Sequence, residues 1–162
     1  MLRYYLAVII ILSLNSCVKN EGLNAGEKEQ IIADVNEMFN NYHSDIKEEG
    51  LTAEFKYLDQ SSDFFWVPPG YKSALDYDSV YSILVNNAKL FSEVIFEWDT
   101  LQIFPLTEEI ANYSGIVKGS MTDTSGIVNA VIIIESGTVV KRSDGWKLLS
   151  GQSAVLEPDT DE

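Results

Sequence analysis

The chain reads as an α+β domain, with helices first and a long meander of antiparallel strands after them, and three observations carry that reading. Ile31, Val35, Met38, Phe39, Tyr42 and Ile46 recur at spacings of three and four, the period of an amphipathic helix. Residues 93–104 and 110–121 are two strand-like stretches, the first alternating Val94, Phe96 and Trp98 with Ile95, Glu97 and Asp99. Residues 128–140 are mostly β-branched, and Lys141-Arg142-Ser143-Asp144-Gly145 is turn chemistry before a second apolar run beginning at Trp146, which together predict a β-hairpin over 126–155.

The first helix is expected from Glu27 to near Gly50, where glycine can end it. His43, the only histidine, sits beside Tyr42 at the edge of the apolar stripe. It is a candidate general base if it faces a cavity, and otherwise a surface or hydrogen-bonded side chain. A short second helix over 55–58 leads to Asp63 and an aromatic strand, Phe64-Phe65-Trp66-Val67, stopped by Pro68-Pro69-Gly70. Phe64 and Trp66 share one face of it. Asp76-Tyr77-Asp78-Ser79 precedes Val80, Ile83, Leu84, Asn87 and Leu90, so a capped helix is predicted over 79–91, with capping and the helix dipole accounting for both acids without a metal.

Along 110–121, Tyr113, Gly115, Val117 and Gly119 share a face, and the glycines let a bent sheet pass close to a helix. In the hairpin, Val128, Ala130, Ile132 and Ile134 project one way and Asn129, Val131, Ile133 and Glu135 the other. Apolar residues on both faces predict a central strand pair covered on both sides. In the last strand Trp146, Leu148, Ser150 and Gln152 alternate with Lys147, Leu149, Gly151 and Ser153. With the first set inward, the sheet acquires an apolar base and a polar far end, the makings of an open-mouthed pocket. The plainer reading is that Ser150 and Gln152 finish a strand at the surface.

The run Asp144-Gly145-Trp146-Lys147-Leu148-Leu149-Ser150-Gly151-Gln152-Ser153 resembles the final strand of NTF2-like proteins, nearest the SnoaL-like and DUF4440-like branch. The resemblance extends over 27–155 in element order. It implies a cone-shaped fold in which N-terminal helices pack into a strongly curved antiparallel sheet. Members of that branch commonly carry histidines where this chain has Ser150 and Gln152, so the readiest general bases are missing at that place. Asp63 matches the position of an Asp that precedes the short strand in related chains, where an acidic residue can act as a base; a turn or cap role is the alternative. The resemblance also implies isomerase, cyclase or dehydratase chemistry as one use of the fold, and dimerisation through a sheet face as another.

The N-terminus carries an address. Arg3, the apolar run 6–14 and Leu14-Asn15-Ser16-Cys17 resemble a bacterial lipoprotein leader, with residues 1–16 removed and Cys17 lipidated. Residues 17–26 then form a polar tether, 27–156 the domain and 157–162 an acidic tail. The expected address is the bacterial cell envelope, at the outer membrane or cell surface rather than the inner membrane, with the membrane as partner through Cys17. Cys17 is the single cysteine, so no internal disulfide is expected. Eleven basic against 25 acidic residues give a formal charge of -14, a field that repels nucleic-acid phosphates.

No Gly-rich phosphate loop, no self-evident nucleophile triad and no metal-ligand spacing is present, so neither a metal nor a cofactor is called for. Three uses follow. The first is uptake of a small hydrophobic or amphipathic molecule in a cavity lined by Phe39, Tyr42, Phe64, Trp66, Phe96, Trp98, Tyr113, Trp146, Ser150 and Gln152, against the plainer reading of the aromatics as core. The second is acid-base catalysis in that cavity with Asp63, His43 or a cavity-facing tyrosine such as Tyr42 as the base. The third is a homodimer or interaction domain, for which Ile127, Val131, Ile133 and Val139 supply an apolar face in need of cover.

Overall fold

The structure, a computed structural model, describes residues 22–156. Its first element, α1 (Ala25–Glu49), starts at a capping box: the Asn24 side chain accepts from the Glu27 amide at 3.0 Å and Glu27 Oε2 accepts from the Asn24 amide at 2.8 Å. Gly50, at φ 89°, ends it. Ile31, Val35, Met38, Phe39 and Ile46 form its buried stripe, as the spacing predicts. A 3-10 helix, Leu51–Lys56, follows, then β1 (Phe65–Val67) and α2 (Tyr77–Asn87), which is capped by Asp76 through a 2.9 Å bond from the Ser79 amide. The capped helix ends at Asn87, short of the expected Phe91, because Phe91 opens the next strand.

Four long strands complete the chain: β2 (Phe91–Pro105), β3 (Ile110–Asp123), β4 (Val128–Arg142) and β5 (Gly145–Val155). They lie in the order β1-β5-β4-β3-β2. The four long strands are antiparallel to their neighbours, whereas β1 runs parallel to β5, with Phe65 opposite Ser150 and Val67 opposite Gln152. The sheet is therefore mixed, and the expectation of a purely antiparallel one is corrected at that edge. α1 packs across the concave face, where Phe39, Tyr113, Val139 and Leu148 meet in the core.

The concave face is shaped by glycines that seat aromatic rings. A Cβ added at Gly115 would stand 2.8 Å from the Trp98 ring and 2.2 Å from the Thr100 carbonyl oxygen, and one at Gly119 would stand 3.0 Å from the Phe96 ring. Gly137 lies under Tyr113 and Gly151 under Trp66 in the same way. The close approach expected at Gly115 and Gly119 is thus to rings of the neighbouring strand rather than to a helix.

Two sequence-based expectations about the hairpin are overturned. The convex face of β4 is uncovered: Val128, Ile132 and Ile134 are 62%, 46% and 43% exposed. Of the apolar set expected to need cover, Val139 is buried in the core and Val131 and Ile133 face a cavity, leaving Ile127 exposed. The alternation of β5 also breaks. Val139 pairs with Leu148 but Thr138 with Ser150, so Leu149 is an extra residue that reverses the faces beyond it. Trp146 and Leu148 point inward, then Gly151, Ser153 and Val155, while Ser150 and Gln152 turn to the convex side.

The segment before β1, which runs along the same edge of β5, is tied to the hairpin by charge. Asp59, 4% exposed, accepts from Arg142 Nε at 2.5 Å and from the Ser61 amide at 2.9 Å, and its own amide donates to the Leu148 carbonyl. Burial pushes the Asp59 carboxyl up, but Arg142 and Ser61 together hold it below its ordinary value. Arg142→Met leaves Asp59 buried without its cation, so a loss of about 1–3 kcal/mol is expected in urea denaturation; an unchanged midpoint refutes the tie. Gly115→Ala is expected to cost about 1–3 kcal/mol in the same assay, since the Trp98 ring and the Thr100 carbonyl must both move.

Candidate functional site

Between α1, the 3-10 helix, α2 and the concave side of the sheet lies a cavity of about 400 Å³. Each wall follows from the local folding described above. The last turns of α1 supply Tyr42 and His43, the 3-10 helix supplies Leu51 and Glu54, and β1 with the residue before it supplies Trp66 and Phe64. α2 turns Val80, Ile83 and Leu84 inward, and the strands contribute Phe96, Val117, Val131, Ile133, Glu135 and Ser153. Among the lining residues Pro69, Asn87 and Val155 are exposed and mark the mouth. No lysine or arginine is among the lining residues.

The polar groups are few and gathered. Glu135 sits at an inward position of β4, two residues beyond Ile133, and its Oε1 accepts a 2.8 Å hydrogen bond from the Tyr113 hydroxyl. Tyr113 is 2% exposed and held by the Phe39 ring at 4.7 Å. Glu54 faces the Tyr42 hydroxyl from the 3-10 helix. Burial pushes Glu54 up to about 8, with the neighbouring Glu135 adding to the rise and the Tyr42 hydroxyl opposing it. Burial likewise pushes Glu135 up to about 7 against the bond from Tyr113. Both tyrosines are driven well above the ordinary phenol value, by burial first and by the carboxyls second, so they remain donors at neutral pH. His43 stacks on Trp98 at 5.5 Å and burial lowers it to about 4, leaving a neutral imidazole.

Near pH 7 the cavity thus holds one carboxyl that is mostly protonated, one that is close to half ionised, and an uncharged imidazole, all against apolar walls. Groups of this kind can give and take protons within one binding event. Among the described residues no group of three or more acidic, histidine or cysteine side chains stands in metal-holding geometry.

Set against the sequence-based candidates, the structure brings His43, Tyr42, Phe64, Trp66 and Phe96 to the cavity. Phe39, Tyr113 and Trp146 are buried in the core, and Trp98 packs against it beneath His43. Tyr113 reaches the site only through its bond to Glu135. Asp63 is exposed in the turn before β1, its amide donating to Ser61 Oγ at 3.3 Å, and does not line the cavity. Ser150 and Gln152 border a shallow groove on the convex face with Phe65 and Asn112. Ser153 occupies the place expected for them and accepts from Trp66 Nε1 at 3.2 Å. Cys17 lies outside the described residues. Glu54, Glu135 and Ser153 escaped the sequence reading. For Glu135 a signal existed, an acid on the same face of an apolar strand as Val131 and Ile133; for Glu54 in its short 3-10 helix none did.

No protein-family model matches the sequence, and no curated protein is significantly similar to it. Solved structures do resemble the fold. A nuclear transport factor 2 (NTF2-like) superfamily protein from Salmonella enterica serovar Typhimurium superposes with a TM-score of 0.69 at 14% identity, over 83% of this chain and 96% of that one. A candidate scytalone dehydratase from Novosphingobium aromaticivorans gives 0.70 at 15% identity, over 83% and 89%. The hexachlorocyclohexane dehydrochlorinase LinA-type3 from Novosphingobium barchaimii gives 0.65 at 9% identity, over 83% and 92%. At these identities the likeness speaks to architecture, and with helices laid into a curved, unclosed five-stranded sheet around one cavity, this chain has the NTF2-like fold.

Proposed function

We propose that the cavity takes up a small, largely apolar molecule and moves protons on it, in the isomerase or dehydratase class. The observation that carries the proposal is the pairing of Glu54 and Glu135 across one apolar cavity, each backed by a tyrosine hydroxyl and with neutral His43 beside them. Glu135, the more readily ionised, serves as base, and Glu54 serves as acid. The apolar walls hold the substrate and keep water from competing. That a dehydrochlorinase and a candidate dehydratase share the fold supports the class by analogy. Uptake without chemistry is the second reading, favoured by the apolar walls alone.

The setting we propose is the bacterial cell envelope, on a lipid at Cys17, supported by the leader pattern of residues 1–17. Among the described residues no helix is long and apolar enough to cross a membrane. The exposed convex residues Val128, Ile132 and Ile134 support a homodimer through that face.

Hydrogen-deuterium exchange at carbon tests the chemistry without knowledge of the product. Small hydrophobic ketones in D2O should gain deuterium next to the carbonyl in the presence of the protein, read by mass spectrometry. Glu135→Gln should slow the exchange by about 10²–10⁴-fold. The rate should rise with pH toward 7 as Glu135 ionises and fall above 8 as Glu54 loses its proton. Exchange that survives Glu135→Gln unchanged defeats the assignment; binding of the ketones with no exchange leaves the uptake reading.

The same carboxyls bear on stability. Their folded values lie above the ordinary 4.5, so the folded state holds more protons than the unfolded one between about 4.5 and about 8. The contribution is complete below that window and lost as pH rises through it. Urea midpoints should therefore fall from pH 5 to pH 8.5 in the natural protein, and fall less in a Glu54→Gln, Glu135→Gln double variant.

A further inference from the structure

Resting on the reading of the cavity as a substrate site, we infer that its ligand is a hydrophobic organic cation, an apolar body carrying a protonated amine. The geometry points there by what faces the cavity. From α1 come Tyr42 and His43, from the 3-10 helix Glu54, from β4 Glu135, from β5 Ser153 and from α2 Asn87, with the Tyr113 hydroxyl of β3 behind Glu135. Two of these are carboxyls, and no lysine or arginine lines the space with them.

Carboxylates enclosed by protein normally have a cation or several donors close by, because an ionised carboxylate without them is costly to bury. Glu135 has the Tyr113 hydroxyl on Oε1, and Oε2 takes no hydrogen bond from the described residues; Glu54 faces the Tyr42 hydroxyl. A neutral phenol offsets part of that cost and leaves acceptor capacity turned to the cavity. An ammonium group seated between the two carboxyls supplies the missing donors and the missing charge together. Phe64, Trp66 and Phe96 line the same space and give apolar contact to the body of the cation. At about 400 Å³ the space is near the lower end of the range for small-molecule sites, roughly 300–1,000 Å³, so the body is one or two rings.

The rest of the chain acts in the same sense. With a formal charge of -14 the chain as a whole attracts cations and repels anions. A carboxylate or phosphate ligand meets two acids and no counter-ion.

A matched series tests this on the full chain by titration calorimetry: naphthylmethylamine, naphthylmethanol and naphthoate, equal in body and different in charge. The amine should bind about tenfold or more tighter than the alcohol near pH 8, and the naphthoate not measurably. Binding the cation draws a proton off the carboxyls, so the amine's affinity should rise about tenfold between pH 6 and pH 8, while that of the alcohol, which displaces no proton, stays level. The double variant Glu54→Gln, Glu135→Gln, checked for folding by its melting transition, should bind amine and alcohol alike. An alcohol that binds as tightly as the amine, a naphthoate that binds tightest, or an amine preference that survives the double variant overturns the inference while the cavity stands as a ligand site. Failure of all three probes to bind overturns the inference and the cavity reading with it.

Discussion

The bend of the sheet is the constraint on which the rest of the molecule depends. A concave face this deep brings inward-pointing atoms of neighbouring strands closer than ordinary side chains allow. At Gly115 and Gly137 a Cβ would fall 2.2 and 2.3 Å from a carbonyl oxygen of the adjacent strand, so the backbone itself occupies the space. Only a residue without a side chain fits, and glycine weakens a strand unless something covers it. Trp98, Phe96, Tyr113 and Trp66 provide that cover from the strands alongside. One arrangement thus sets the curvature, fills the base of the cone, and holds Tyr113 where its hydroxyl meets Glu135. The site is built on rigid strands as a consequence of how the sheet bends.

Against this support, the cavity is a place where stability is given up. A close-packed interior is the default, and carboxyls in apolar surroundings are among the least favourable things to bury. Glu54 and Glu135 line the same cavity, near enough for Glu135 to raise the Glu54 carboxyl further. A contrast lies in the same chain. Asp59 is also buried, yet Arg142 and the Ser61 amide hold it below its ordinary value, and it fastens the segment before β1 to the hairpin. Where the fold needs an acid for structure it provides a cation. In the cavity it provides only phenols, which leaves these protons exchangeable near neutral pH.

Much of the architecture was legible because periodicity is a local signal. The stripe from Ile31 to Ile46 and the Asp76 cap required no knowledge of neighbours, and the strands fell within a few residues of their predicted ends. The site was less legible, and particular residues show why. Leu149 is one of two adjacent leucines in an apolar run, and nothing in its local sequence marks it as the extra residue of a bulge. Its insertion nonetheless moves Ser150 and Gln152 out of the cavity and Ser153 into it. Alternation counted past Leu148 is correct in period and wrong in face. Asp63 drew attention through its position before the aromatic strand, while Glu54, with no periodic context, was brought to the cavity by the packing of the 3-10 helix against α1 and α2.

The convex face follows the same logic from the other side. A central strand with branched apolar residues on both faces ordinarily has layers on both, and here one layer is the helix-covered cavity while Val128, Ile132 and Ile134 remain open to water. Toward the β1 edge the surface changes character: Ser136, Thr138, Ser150 and Gln152 are neutral and polar, and Thr138 is bonded to Asn112 at 2.9 Å. The exposed isoleucines are therefore gathered at one end of β4, with Phe65 and Phe104 standing apart from them on the same side of the sheet. A second copy seated there would cover the isoleucines and leave the polar groove free, with both cavities on the far sides of their sheets. Association and uptake would then occupy opposite faces, so that occupancy of one need not disturb the other.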